Sequence, residues 1–238
     1  MNDSSATNPT ENATMPAKQF GRLVLLRHGQ TVWSESGQYT GRTDIPLTDE
    51  GERQAVRAGE RLREAFPNGF LPGDIFTSTM GRAQSTAELA GFPEHETTEN
   101  IVEWDYGRAE GRTRQQLAAM TGFPWDVWRD GSRAIDPRYE GRRIETLPDG
   151  QQIVVVNGPG ETLDEVARRA RAAIDAAMPA LEAGRDVLFV AHAHILRILT
   201  TQWLDEPASF ARKLRLDTAH YSVLGVYKGD HVIERWNC

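Results

Sequence analysis

The chain has 238 residues, 39% of them apolar and 26% charged, with 27 Lys+Arg against 34 Asp+Glu for a net charge of −7. That length and composition suit one folded domain with a large core and exclude wholesale disorder and fibres. The acidic balance disfavours nucleic acid, the short apolar runs disfavour a membrane span, and the lone Cys238 excludes an intrachain disulfide or a multi-cysteine metal site. A soluble, cytoplasmic protein is expected.

Residues 1–18 are polar and Pro-containing and are expected to form a disordered tail, with a single domain over 19–238. Leu23–Leu26 reads as a buried strand running into Arg27-His28-Gly29. A helix is expected from Thr48, with Ala55, Val56, Gly59, Leu62 and Phe66 on one face, ending at Pro67. Asp74–Thr77 is a second strand, Arg82–Ala90 a helix, Ile101-Val102 a third strand, and Thr113–Met120 a short helix. Residues 130–160 break the rhythm and read as an insertion carrying a hairpin, Arg142–Leu147 and Gln151–Val156 around Pro148-Asp149-Gly150. Thr162 and Glu165 have capping-box spacing, and Pro179 should kink or shorten the helix that follows. Val187–Val190 is the strongest strand signal, His192 follows it, Ile195–Trp203 is helical, and Tyr221–Tyr227 with His231–Trp236 form a terminal hairpin. The alternation predicts an α/β fold, a three-layer sandwich with a largely parallel central sheet flanked by helices. Arg27, His28, Arg82, Glu103 and His192 all follow predicted strands and so belong at the carboxyl edge of that sheet.

A neutral imidazole attacks phosphorus, and an arginine fork matches phosphate oxygens. Arg27-His28 at a strand end therefore has the makings of a phosphoryl site, although as a bare pair it is more often an ordinary surface feature. Gly29 allows close backbone approach. His192-Ala193-His194 invites a metal reading, but the strand-to-helix transition should send the two rings apart and no ligand set completes it.

The context is specific. Leu-Val-Leu-Leu-Arg-His-Gly-Gln-Thr (23–31) continues through Trp33, Thr40-Gly41 and 44–48. Thr77–Thr86 around Arg82, Glu103-Trp-Asp-Tyr-Gly107 with Glu110-Gly111, Gly160-Glu161-Thr162, and Val190-Ala191-His192 through Arg197 follow in order. Together these motifs resemble the histidine phosphatase superfamily, over about residues 20–128 and 158–227. The resemblance implies that His28 becomes phosphohistidine, and that Arg27, Arg82 and His192 clamp the phosphoryl oxygens. It implies that Glu103 protonates the leaving alkoxide and later deprotonates water. Two arginines and a protonated His192 would supply positive charge, burial or the phosphate's own charge should raise the Glu103 pKa, and His28 should be held neutral by a bond from one ring nitrogen to a backbone carbonyl.

Ser34, Thr40, Gly41 and Ala193 complete the expected substrate contacts; the family's mutases have Asn at the Ser34 position, and Ala193 replaces the usual Gly. Trp104 and Tyr106 read as wall and core, His194 as pocket rim or structural, and His95, His220 and His231 as ordinary. Where the mutases carry a paired-arginine grip this chain has Pro124–Asp130, rich in aromatics. The expectation is therefore hydrolysis of a small phosphomonoester such as a sugar phosphate, without cofactor or metal. A 2,3-bisphosphoglycerate-dependent phosphoglycerate mutase and a non-catalytic phosphometabolite binder are the alternatives. Arg133, Arg138, Arg142 and Arg143 could bind a second phosphate or carboxylate, but solvated loop charges are the favoured reading. Exposed edge residues around Tyr221–Trp236 would allow a homodimer.

Overall fold

Short β-rich runs alternate with amphipathic helices through the computed structural model, which describes residues 20–238; the expected tail lies outside them. The strands are β1 (Leu23–Arg27), β2 (Ile75–Ser78), β3 (Glu96–Thr98), β4 (Gly141–Thr146), β5 (Gln152–Asn157), β6 (Val187–Ala191), β7 (Tyr221–Tyr227) and β8 (Asp230–Arg235). The helices are α1 (Val32–Ser36), α2 (Asp49–Ala65), α3 (Gly81–Leu89), α4 (Arg114–Thr121), α5 (Val127–Asp130), α6 (Leu163–Glu182) and α7 (Ala193–Trp203).

Six strands form one sheet in the order β3-β2-β6-β1-β7-β8. The first four are mutually parallel; β7 is antiparallel to β1, and β8 to β7. Period-two alternation sorts the strand side chains into two cores. Leu23, Leu25, Val187, Phe189 and Leu224 pack under α6 and α7 with Ile174, Leu181, Ile195 and Trp203. Val24, Leu26, Leu188 and Val190 pack against Ala58, Leu62 and Ala87 on α2 and α3. That is the expected three-layer α/β sandwich with helices on both faces.

Local signals placed most elements within a residue or two. Thr162 caps α6 and Glu165 returns the bond, as its spacing predicts. The helix passes through Pro179 to Glu182 rather than stopping at it. The insertion does contain the antiparallel hairpin β4–β5, standing as a separate two-stranded sheet. Two expectations fail. Ile101-Val102 is not a strand: β3 lies five residues earlier, and Ile101 ends a 3-10 turn where it is buried as a core residue. Two adjacent β-branched residues fit a core as readily as a sheet. Val56 is exposed, and Ala58 takes the inward position on α2.

Candidate active site

The pairing register brings the two key histidines together. Arg27 on β1 lies opposite Ala191 on β6, so His28 and His192 leave the sheet side by side at its carboxyl edge. Their rings meet edge-on with centroids 5.0 Å apart. His28 opens onto a cleft of about 210 Å³ that Arg27, Ser34, Thr40, Glu103 and Ala193 also line, with Trp33, Gly37, Gln38, Tyr39, Tyr106, Arg114 and His194 completing the wall; His192, expected there, is fully buried behind it. That volume suits a phosphoryl group on a short carbon chain.

His28 is buried, and its Nδ1–H donates to the Gly29 carbonyl at 2.7 Å. This leaves the Nε2 lone pair free. Burial first, then the charges of Arg82 and Arg27, hold the ring well below the ordinary histidine pKa. The imidazole is neutral, as expected. The neighbouring Gly29 does not serve the cleft. A Cβ there would stand 2.3 Å from the Gly51 carbonyl, so the glycine lets β1's exit pass against the first turn of α2.

Arg27 reaches the cleft. One Nη donates to the Leu216 carbonyl at 2.7 Å, and its Nε is buried without a partner among the described residues. Arg82, the second residue of α3, is directed elsewhere and does not line the cleft. Its Nη groups donate to the carbonyls of Thr43 and Gly41 at 2.9 Å, and its Nε donates to Nδ1 of His192 at 3.2 Å.

That last bond decides the state of His192. Because Nδ1 accepts from a guanidinium, Nε2 carries the proton and donates to Ser78 Oγ at 2.8 Å. Burial first, and then Arg82, push its pKa well below the ordinary value. The expected protonated His192 is thus corrected to a neutral one, and the fixed positive charges beside His28 are those of Arg27 and Arg82. His192 and His194 do face different partners, since His194 Nδ1 lies 2.6 Å from the Tyr106 hydroxyl at the cleft wall.

Glu103 leaves a 3-10 turn rather than a strand, and its carboxylate meets the start of α7. It accepts from the backbone N–H of Trp104 (2.9 Å), His194 (3.0 Å) and Ile195 (2.9 Å). Burial alone would raise its pKa, but His194 and the backbone amides outweigh it and hold the carboxyl at about 2. Burial therefore does not raise the pKa as expected: with no substrate bound, Glu103 is ionised. Arg169 on α6 braces the segment before it, donating to the Val102 carbonyl at 2.9 Å and pairing with Glu161 at 2.7 Å.

The other expected contacts divide. Ala193 and Thr40 line the cleft. Ser34 lines it too, but its hydroxyl is engaged with the Thr31 backbone N–H and carbonyl, both at 2.9 Å, in the cap of α1. Gly41 lies behind the cleft: its amide donates to Glu110 at 2.9 Å, and a Cβ would meet the Trp104 carbonyl at 2.4 Å.

Sequence reasoning assigned Glu110 no role of its own. Its buried carboxylate accepts from the amides of Gly41 and Thr43, the same two residues whose carbonyls hold Arg82. Burial raises it to about 7, against the pull of those amides and of Arg82. The sign is opposite to that of Glu103. A carboxyl raised from 4.5 stabilises the fold fully below about 4.5 and loses that contribution as pH rises through about 7, about 3 kcal/mol in all. Thermal melts between pH 4.5 and 8 should show wild type losing this increment while Glu110→Gln, which cannot ionise, does not. Parallel stability–pH curves for the two proteins would refute the assignment.

With this geometry in hand, comparison with known proteins is decisive. The family model for the histidine phosphatase superfamily, branch 1, matches residues 23–238. The chain belongs to that superfamily. An acid phosphatase of Mycobacterium tuberculosis is 34% identical over 208 residues, 87% of this chain and 88% of that protein. A 2,3-bisphosphoglycerate-dependent phosphoglycerate mutase of Bifidobacterium longum is 31% identical over 201 residues, 75% of each chain. Among solved structures, the product of the M. tuberculosis open reading frame Rv3214 superposes with a TM-score of 0.74 at 32% identity, covering 91% of this chain and 97% of that one. The protein is an enzyme of the phosphatase type, acting on small phosphorylated substrates through phosphohistidine. Among the described residues no helix is long and apolar enough to cross a membrane.

Proposed function

We propose that this protein hydrolyses small phosphomonoesters in the His28 cleft, with His28 as nucleophile and Glu103 as proton carrier. The observation that supports it most directly is the bond from His28 Nδ1 to the Gly29 carbonyl, which leaves Nε2 unprotonated in a cleft shared with Glu103 and Arg27. In the first step Nε2 bonds to phosphorus, the P–O ester bond breaks, and the leaving alkoxide takes a proton from Glu103. In the second, Glu103 as carboxylate takes a proton from water, the water oxygen bonds to phosphorus, and the P–N bond breaks to release phosphate and restore neutral His28. Arg27 approaches the equatorial oxygens directly. Arg82 acts one layer behind, through its charge and through His192, whose edge meets the His28 ring.

Hydrolysis is favoured over phosphoryl return by the segment 124–130. Trp125 is buried, and Arg129 is tied to Asp130 at 2.7 Å, so no arginine pair from this stretch closes over the cleft. The test is phosphate release from p-nitrophenyl phosphate and three-carbon phosphomonoesters in the presence of chelator, beside an assay of 3- to 2-phosphoglycerate interconversion with added 2,3-bisphosphoglycerate. Rapid interconversion with little phosphate released would replace this reading with the mutase one.

A further inference from the structure

Arg82 works one layer behind the cleft, so its effect depends on how it is aimed. A guanidinium carries its N–H donors in a fixed planar fork, and the placing of its acceptors sets its position. Arg82 is buried, and its Nη groups find their acceptors in loop 40–43: the carbonyls of Thr43 and Gly41 at 2.9 Å and that of Thr40 at 3.4 Å. Asp44 lies within ion-pair distance at 3.6 Å but is half exposed. The loop that aims Arg82 has no helix or strand of its own.

Glu110 holds that loop from its other side. The amides of Gly41 and Thr43 donate to Oε1 at 3.0 and 2.9 Å, and Gly41 donates also to Oε2 at 2.9 Å. The peptide between Thr40 and Gly41 therefore lies between the carboxyl and the guanidinium, its N–H bonded to one and its C=O to the other. Such bonds polarise one another in a buried network, and a shift of the carboxyl is passed to the guanidinium. Oε1 alone reaches both amides, so the brace stands with or without a proton on the other oxygen. A carboxyl that burial raises to about 7 fits that arrangement.

The backbone of Glu110 is fixed in turn. It follows the 3-10 turn Gly107–Ala109, and its carbonyl accepts from Arg143 Nη2 on β4 and Asn157 Nδ2 on β5, both at 3.1 Å. Arg143 is spent on these protein partners and on Glu145 at 3.2 Å, so the second-anion role weighed for it has no support. The Gly111 amide donates to the Tyr39 carbonyl at 2.8 Å, and the Tyr39 amide to the Arg112 carbonyl at 3.0 Å, which laces the Glu110 segment to the start of the loop. Glu110 itself does not line the cleft and touches no substrate there.

We propose that Glu110 is a positioning residue for the phosphoryl transfer: through loop 40–43 it fixes the guanidinium of Arg82, and through Arg82 the ring of His192 against the nucleophile. The inference rests on the reading of the His28 cleft as the phosphoryl site.

The test is a double-mutant cycle read in the turnover of p-nitrophenyl phosphate, with thermal melts to show that each variant is folded. Glu110→Ala should lower kcat about tenfold and leave KM within about threefold, because the loss falls on transition-state charge rather than on binding. In an Arg82→Lys background the same change should lower kcat by about twofold or less, since no planar fork remains for the loop to aim. Glu110→Gln keeps an oxygen for both amides and should hold kcat within about threefold of wild type. Glu110→Asp keeps the charge but draws the oxygens back by one methylene, and it should fall with alanine. If the alanine variant does not fold, the aspartate variant runs the same cycle. Equal losses in the two Arg82 backgrounds would reduce Glu110 to a fold element and overturn the inference. A glutamine variant that falls while aspartate holds would also overturn it, in favour of charge alone. Wild type that releases no phosphate would overturn the phosphatase reading, and this inference with it; failure of the cycle in an active enzyme would overturn this inference only.

Discussion

Replacing His28 with alanine is expected to lower kcat by about a thousandfold or more and to abolish the acid-labile phosphoprotein trapped from wild type during turnover. The reasoning starts from one hydrogen bond. The Gly29 carbonyl takes the proton on Nδ1, so the cleft-facing nitrogen is a lone pair rather than an N–H. Burial and two arginines keep the ring neutral well below the usual histidine range. The neutral nucleophile is therefore already present well below the usual histidine midpoint, and an acid limb in the rate profile near about 6.5 should not come from it. Loss of His28 leaves Arg27, Arg82 and Glu103 in place, so phosphate should still bind as an inhibitor while turnover fails. A phosphoprotein that persists in the alanine variant would show that another group is attacked.

The meeting of His28 and His192 and the neutral state of His28 are legible in the sequence; the charge states of Glu103 and His192 are not. Leu23–Leu26 and Val187–Val190 announce themselves as buried strands, and their parallel pairing is enough to put His28 beside His192. The cap at Thr162 and the hairpin of the insertion follow from spacing and turn residues alone. What spacing does not carry is which atom each polar group bonds. Burial or the substrate phosphate's charge is expected to raise the Glu103 pKa; Glu103 is buried, but three backbone N–H groups reach its oxygens from its own loop and from α7 and outweigh the burial. His192 was expected to be charged because it would bind phosphate, yet Arg82 donates to one nitrogen and so forbids the second proton. Gly29 reads as a point of close backbone approach, but the sequence does not say that the approaching backbone is that of α2. Each of these depends on a partner tens of residues away, and a single chain read in order does not reveal it. The same holds for Glu110, whose role appears only once the loop 40–43 is seen folded between it and Arg82.

The ionised state of Glu103 sets the second large effect. With a carboxyl at about 2, the free enzyme has no proton to give the leaving group between pH 4 and 8. The proton must then come in with the substrate, as the phosphate monoanion, and pass to Glu103 as the two negative charges are brought together. For an alkyl phosphate, kcat/KM should therefore fall as pH rises past the second ionisation of the phosphate, near about 6, approaching tenfold per pH unit. The sign follows from the free states: deprotonated Glu103 plus monoanion carries one proton into the complex, and deprotonated Glu103 plus dianion carries none. A profile for propyl phosphate that stays flat from pH 5 to 8 would contradict it. Glu103→Gln removes the carrier, and kcat for propyl phosphate should drop by about 10²- to 10⁴-fold. For p-nitrophenyl phosphate, whose leaving group needs no proton, the two steps separate. Attack by His28 should survive and release one nitrophenol per active site in a burst, after which turnover should stall because no carboxylate remains to deprotonate water. A variant that turns over both esters at the wild-type rate would remove Glu103 from the mechanism. A burst with the aryl ester and none with the alkyl one would place it in both proton transfers.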